Sequence, residues 1–403
     1  MKIEKMKLYI IQDSKLNKME LNNILTEKYN ITKGILFDEV KVPSVLENIL
    51  YENKYLNDPY YSDNIFDIKK YETYHQFYFF YFDNKFKNPV LTFEGVDTIA
   101  DVYLNGNIIY YLDNMFIKHS IDLNNLKEKD NLLVIHIHPS IIEGKKYEKV
   151  KSSPYMCDEL MHIRKKISSF GWDILPRTPL GGIYKDLYIN EKHIGLENVY
   201  LYSNKNRLSI DIELPDNFNN SSIIINGKCE NSTFHIDNHI DGKVIHAECF
   251  VPDIKYWNAI GYGDANLYNV EVSLYQNGVL IDSKNIKFGF RDIELKRSSI
   301  VEKDGCFNFY INGIKNFILG TNWVPVDALK SYDLDRTYKI LDEVVKIGCN
   351  AIRCWGGSIY EIDEFYDYCD EHGILVWQDF MFACNVYELS ENFSFAFENT
   401  GDV

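Results

Sequence analysis

No stretch of the 403-residue chain approaches the roughly 18 consecutive apolar residues of a spanning helix, so no membrane segment is expected. The start, Met1-Lys2-Ile3-Glu4-Lys5-Met6, leads into no apolar run long enough for a signal peptide, and the cytoplasm is the expected location. No Cys-x-x-Cys spacing occurs among the eight cysteines, which run from Cys157 to Cys384. In so long a chain that density is no disulfide framework, and the thiols read as reduced and mostly buried. Low-complexity tracts and sequence repeats are missing as well. Positive charge is in short supply: 43 Lys and Arg stand against 59 Asp and Glu, a net charge of −16. A surface this acidic repels phosphate backbones, so no nucleic-acid partner is expected.

Aromatic residues are plentiful, with 30 Tyr, 24 Phe and 5 Trp. That suits β-rich folds. It also suits sugar sites, where a ring stacks on a pyranose face, although core and strand positions account for most of them. Charged residues at 25% and hydrophobic residues at 46% are ordinary for a globular protein, and the length allows two to three domains of about 150 residues.

The first half reads as β. Val90-Leu91-Thr92-Phe93 starts a strand. Asp101-Val102-Tyr103-Leu104 alternates and is followed by Asn105-Gly106, a type I′ hairpin signal because both central residues must take positive φ. Leu133-Val134-Ile135-His136-Ile137-His138 puts Leu133, Ile135 and Ile137 on one face and Val134, His136 and His138 on the other. Two histidines at this spacing share a face and could ligate a metal. The sequence offers no third ligand nearby, so no metal is expected. Residues 145–180 break the rhythm and read as a long ordered loop, a common place for function.

From about residue 194 short strands recur every 8–12 residues, with turns expected at Asn226-Gly227, Asp241-Gly242 and Asn277-Gly278. This reads as a small β-sandwich ending near Phe288-Gly289-Phe290-Arg291. Beyond residue 305 the pattern changes to strand, helix, strand, helix, strand. The strands are Phe317-Ile318-Leu319-Gly320, Ala351-Ile352-Arg353-Cys354-Trp355 and Ile374-Leu375-Val376-Trp377. One helix covers residues 334–347. Another is expected to open on a capping box of Ser358 and Glu361 and to end at Gly373. Apolar strands alternating with helices predict parallel βαβ units. Three such strands cannot close a barrel of eight units and leave a parallel edge unpaired, which predicts a fragment or half of a larger body.

Several motifs together resemble the β-mannosidases of the family-2 glycoside hydrolases. Gly320-Thr321-Asn322-Trp323-Val324-Pro325-Val326-Asp327 resembles their first-strand signature. The run from Asn350 through Trp355-Gly356-Gly357-Ser358 to Glu361 resembles the second, and Trp377-Gln378-Asp379-Phe380-Met381-Phe382-Ala383-Cys384 the third. Asp58-Pro59-Tyr60-Tyr61, Glu94-Gly95-Val96-Asp97-Thr98, Val102-Tyr103-Leu104-Asn105-Gly106 and Phe170-Gly171-Trp172-Asp173 match earlier in the chain. The resemblance extends from about Val42 to about Tyr387. It implies a multidomain chain, mostly β and then α/β. A jelly-roll β-sandwich would span residues 1–193 and an immunoglobulin-like β-sandwich residues 194–291. The first three β/α units of an incomplete (β/α)8 barrel would span residues 292–403.

The resemblance implies retaining hydrolysis of terminal β-mannosyl units from a β-mannoside or manno-oligosaccharide, with no cofactor. The family's acid/base lies in an Asn-Glu pair ending the fourth barrel strand, and its nucleophile lies further on. The only Asn-Glu here is Asn190-Glu191, far from the barrel text, so no catalytic residue is assigned and both carboxylates are expected beyond Val403. Glu388 and Glu391 have no matching context. What the resemblance carries over is a binding wall. Trp172 and Asp173 lie on the loop that reaches into the site. Trp355 forms an apolar side, Arg353 sits near the missing nucleophile, and Asn322, Trp323, Asp327 and Asp379 lie near the rim. Asp173 capping its own loop and Trp355 as plain core are the structural alternatives. The segment Ile174-Leu175-Pro176-Arg177 departs from relatives that carry a second Trp. The chain alone is expected to be inactive, with a second chain completing the barrel as one possibility. A non-catalytic carbohydrate-binding protein, a decayed product and another family-2 exo-glycosidase such as exo-β-glucosaminidase are the competing readings.

Overall fold

The computed structural model describes residues 1–147, 162–298, 305–329 and 333–384. The first region is built on a six-stranded antiparallel sheet. Its order is Gly34–Lys41, Lys5–Gln12, Tyr74–Phe82, Asn131–Ile137, Ala100–Leu104, Asn107–Leu112. A three-stranded sheet of Leu187–Glu191, Pro89–Phe93 and His119–Asp122 faces it. Leu8, Ile10, Tyr78, Leu133, Ile135 and Ile137 from the large sheet share one core with Leu91, Phe93, Ile121, Leu187 and Ile189 from the small one. The large sheet is buried on its other face too. There the helix Lys18–Leu25 covers Tyr9, Ile11, Phe77, Phe79 and Val134, with Ile24 reaching into the cluster. Asn105 and Gly106 take φ of 52° and 85°, as the hairpin signal requires.

The second region is a sandwich made from two long bent strands and three shorter ones. Arg207–Cys229 pairs with Asn198–Asn204, with Ser232–Phe250 and with Tyr268–Gln276, which in turn pairs with Val279–Phe288. Register shifts between Glu213 and Ser221 let the first half of Arg207–Cys229 serve one layer and the second half the other. Leu208, Ile210 and Ile212 therefore share a core with Ile223, Ile225, Val270 and Val272. Two expected turns are corrected. Asn226-Gly227 lies inside the long strand, where glycine admits the Phe234 ring: a Cβ at residue 227 would stand 2.0 Å from its Cε1. Asp241-Gly242 lies inside Ser232–Phe250 at the irregularity opposite Phe218. Asn277-Gly278 does form its turn, with φ of 52° and 77°.

The third region opens with a small sheet of Ile293–Arg297, Phe307–Ile311 and Ile314–Asn316. Then come three parallel strands, Gly320–Trp323, Ala351–Cys354 and Leu375–Gln378, side by side in chain order. The helices Leu334–Lys346 and Asp363–His372 connect them. The first of the expected strands is displaced: Phe317, Ile318 and Leu319 are exposed, and the strand begins at Gly320. The expected capping box is also corrected. The second helix starts at Asp363 without a side-chain cap, and Glu361 accepts a hydrogen bond from Trp323 Nε1 at 3.0 Å instead. Gly373 ends that helix in the left-handed conformation, as expected.

Candidate functional site

Parity along the three parallel strands decides what faces the open side. In register, Asn322 lies beside Arg353 and Arg353 beside Trp377, while Trp323 lies beside Cys354 and Cys354 beside Gln378. Side chains alternate between faces. Trp323, Ile352 and Cys354 turn toward the helices and are buried with Leu341, Val344, Phe365 and Cys369. Asn322, Arg353 and Trp377 take the opposite face and are exposed.

On that face Arg353 is held by its neighbours. Its Nη2 donates to Asp379 Oδ2 at 2.6 Å, its Nε to Asp379 Oδ1 at 3.3 Å and its Nη1 to Asn322 Oδ1 at 3.3 Å. The fork geometry fixes the guanidinium in plane and direction. Asp379 Oδ2 also accepts from the Gly356 N–H at 3.3 Å. Around this pair is an opening of about 460 Å³, lined among others by Trp355, Trp377, Phe382 and Cys384. Trp355 follows its strand directly, and its indole lies over the backbone of Gly357, where a Cβ would come within 2.2 Å of the ring.

The first region reaches Trp355 at the edge of this opening. Phe170–Trp172 and Leu175–Arg177 form a short hairpin. Arg177 ties it down, with Nε to Glu72 Oε1 at 2.6 Å and Nη2 to Glu72 Oε2 at 3.0 Å. At its tip Trp172 meets Trp355, ring centroids 4.8 Å apart and planes at 60°. Asp173 sits in the exposed turn that follows, and no described hydrogen bond holds its carboxylate. The clasp is extensive. Ser168 N–H donates to Gly357 O at 3.0 Å, Arg164 Nη1 to Met381 O at 3.2 Å, and Thr178 Oγ1 to Ala328 O at 3.3 Å. Behind it Lys165 pairs with Asp97 in full burial.

Two expected rim residues lie elsewhere. Trp323 is a core residue for the parity reason above; its indole packs on Phe365 and donates to Glu361. Burial pushes the Glu361 carboxyl up to about 7, against the pull of the Trp323 N–H and of Lys185. Asp327 is buried as a strut between regions, accepting from Tyr60 Oη at 2.9 Å, from Arg336 Nη1 at 3.0 Å and from the Leu329 N–H at 2.8 Å. Trp377 also lines the opening; the sequence gives no sign of this, because only the pairing register with Arg353 puts its ring on the open face. Glu388 and Glu391 lie outside the described residues.

Residues 25–185 match the galactose-binding domain-like family of glycosyl hydrolase 2, and residues 196–291 match glycosyl hydrolases family 2. The chain belongs to the family-2 glycosyl hydrolases. A β-mannosidase of Capra hircus is 31% identical over 385 residues, which is 87% of this chain and 44% of the relative. The chain thus spans less than half the length of such curated relatives. A crystal structure of the β-D-mannosidase from Dictyoglomus thermophilum matches with a TM-score of 0.83 and 28% identity, over 99% of this chain and 49% of that one. The exo-chitosanase of Amycolatopsis orientalis shares the fold, with a TM-score of 0.63 at 18% identity. In this family-2 chain, no helix of the described residues is long and apolar enough to cross a membrane.

Proposed function

We propose that the opening is part of the sugar-binding wall of a retaining β-mannosidase, which removes terminal non-reducing β-D-mannosyl residues from β-mannosides or manno-oligosaccharides. One observation carries the reading. Two indoles from separate regions, Trp172 and Trp355, meet beside the Arg353–Asp379 pair at the ends of parallel strands. Strand ends are where barrel enzymes build their sites. The names of the goat and Dictyoglomus relatives support the choice of sugar. In this reading residues 1–193 are the jelly roll, 194–291 the immunoglobulin-like sandwich and 292–403 the first three units of a (β/α)8 barrel.

The chemistry asks for two carboxylates about 5–5.5 Å apart, one an acid/base and the other a nucleophile. In this reading both come from barrel strands other than the three seen here. Asp379 is given neither role in this reading: paired with Arg353 and the Gly356 N–H, it serves to orient the guanidinium. The two indoles give the pyranose an apolar wall. Asp173 is free to accept from a vicinal diol. Arg353 stands where a cation would keep a neighbouring nucleophile ionised.

The test is turnover of chromogenic β-mannoside and β-glucosaminide by the 403-residue chain, alone and mixed with a chain supplying the remaining strands. The expected result is β-mannoside turnover in the mixture only. Turnover by the chain alone would overturn the placement of the carboxylates. Preference for the glucosaminide would overturn the choice of sugar. A folded mixture that binds manno-oligosaccharide without turnover would leave a carbohydrate-binding protein.

A further inference from the structure

The large sheet of the first region ends in a cluster that sugar hydrolysis does not use. His136 and His138 share a face of the Asn131–Ile137 strand and its continuation. The pairing of Ile137 with Gln76 brings His75 to the same end on the neighbouring strand. One ring nitrogen from each of the three lies within 4.8 Å of the others. This is the third ligand that reading outward from His136 and His138 did not reveal.

Proton accounting shows the cluster to be incomplete as it stands. His75 Nε2 lies 3.1 Å from Asp13 Oδ1, and a carboxylate only accepts, so this nitrogen carries a proton. His75 Nδ1 is then a bare acceptor, and the proton in its 2.9 Å contact with His136 Nε2 comes from His136. His136 Nδ1 is left as a bare lone pair. It is buried without a hydrogen-bond partner, and what lies nearest among charged groups is another acceptor, Asp101 Oδ2, at 3.8 Å. A buried acceptor facing a carboxylate is costly. A cation in place of the shared proton removes the conflict. His75 Nδ1 and His136 Nε2 become ligands, and His136 Nδ1 carries the proton, directed at Asp101 Oδ2 3.8 Å away. His138 has a carboxylate at each nitrogen, Asp101 at Nε2 (3.0 Å) and Glu143 at Nδ1 (3.3 Å). Whichever nitrogen turns to the ion, the other keeps its carboxylate, and the carboxylate it leaves becomes the candidate fourth donor.

We propose that His75, His136 and His138 bind one divalent transition-metal ion, zinc by ligand type, with Asp101 or Glu143 as fourth donor. Tetrahedral zinc places its nitrogens about 3.3 Å apart, so the 2.9 Å His75–His136 contact opens slightly and any wider spacing, at most 4.8 Å, closes by ring rotation. Asp13 behind His75 is the carboxylate–histidine–metal arrangement that fixes ring orientation. Asp13, Asp101 and Glu143 balance the charge of a dication, with Lys146 on the outer side of Glu143 at 2.6 Å. Phe77 stacks on His136 with centroids 4.0 Å apart and keeps that side dry. Asp13 is 43% exposed and marks the way in from solvent.

The experiment uses the 403-residue chain without a histidine tag, stripped by chelator and dialysed. Zinc chloride is titrated by calorimetry, and cobalt chloride is followed by its visible d–d bands. The expected result is one equivalent of zinc, tetrahedral cobalt bands displaced by zinc, and a higher melting temperature with zinc. His136→Asn and His138→Asn should abolish the uptake. Asp13→Asn should weaken it about 10- to 100-fold. His246→Asn, at an exposed strand position, should leave it unchanged. Wild-type chain that takes up no saturable equivalent overturns the proposal. So does uptake that survives His136→Asn and His138→Asn in variants with wild-type circular dichroism. No readout involves sugar, so the result is independent of the proposed hydrolase.

Discussion

The indole of Trp172 meets the indole of Trp355 edge-on, joining the hairpin tip of the first region to the strand end of the third. Aromatic pairs of this kind are coupled by about 0.5–1.5 kcal/mol beyond the area they bury. A double-mutant cycle of Trp172→Ala and Trp355→Ala should return a coupling of that size in urea unfolding. Additivity of the two would mean that the rings do not touch in solution.

Asp379→Asn separates ligand binding from stability. The Arg353–Asp379 pair is partly exposed, and such pairs contribute about 1 kcal/mol or less. The variant should therefore unfold within about 1 kcal/mol of wild type. With Arg353 unpinned, the assembled protein should bind a mannose-configured iminosugar about ten-fold or more weakly, a loss of some 1.4 kcal/mol or more. Calorimetry on the folded variant reads this directly.

Glu361 predicts a pH dependence. Its carboxyl is raised from 4.5 to about 7 in the fold. The folded state thus prefers the protonated form. The stability this gives is fully present below pH 4.5 and is lost as the pH rises through about 7. Glu361→Gln keeps an acceptor for Trp323 and has no charge to bury. Its stability relative to wild type should rise by about 3 kcal/mol, as an order of magnitude, across that interval. Denaturant midpoints at pH 4.5, 6 and 8 check it, and a flat difference would contradict it.

Trp323→Phe tests the assignment of this indole to the core. It deletes the donor to the buried Glu361 and should cost about 1–3 kcal/mol. Sugar affinity per folded molecule should be unchanged. A selective loss of affinity would return Trp323 to the rim.

Gly227→Ala places a methyl group into the Phe234 ring and should cost about 1–3 kcal/mol in thermal or urea unfolding. Phe234→Leu in the same chain should recover part of it. A tolerated Gly227→Ala would mean that the two long strands are farther apart in solution.

The sequence pattern announces elements whose cause is local. Asn105-Gly106, the Leu334–Lys346 helix and the Gly373 stop each depend on a few neighbouring residues, and each appears where the pattern places it. Local chemistry misleads where a tertiary contact gives the residue its job. Gly227 reads as a turn, yet serves a ring on the partner strand. Ser358 and Glu361 read as a cap, yet Glu361 is claimed by Trp323 from another strand. At the site, Arg353, Trp355 and Asp379 line one opening, with Asn322 bonded to Arg353, Trp172 against Trp355 and Asp173 on the adjoining turn. Trp323 leaves its expected place at the rim, and Trp377 takes the open face, because side-chain parity is counted from the register with Arg353. His75 was invisible beside His136 because strand pairing, not sequence spacing, brings them together.

The hairpin that carries Trp172 belongs to the first region and Trp355 follows a strand of the third, so the ring pair lies at the joint between the two. A ligand that spans both rings binds only the docked arrangement. By reciprocity, such a ligand tightens the docking by the same free energy that docking adds to its affinity. Under the proposed function, sugar affinity would gauge how firmly the clasp of Arg164, Ser168 and Thr178 holds the two regions together.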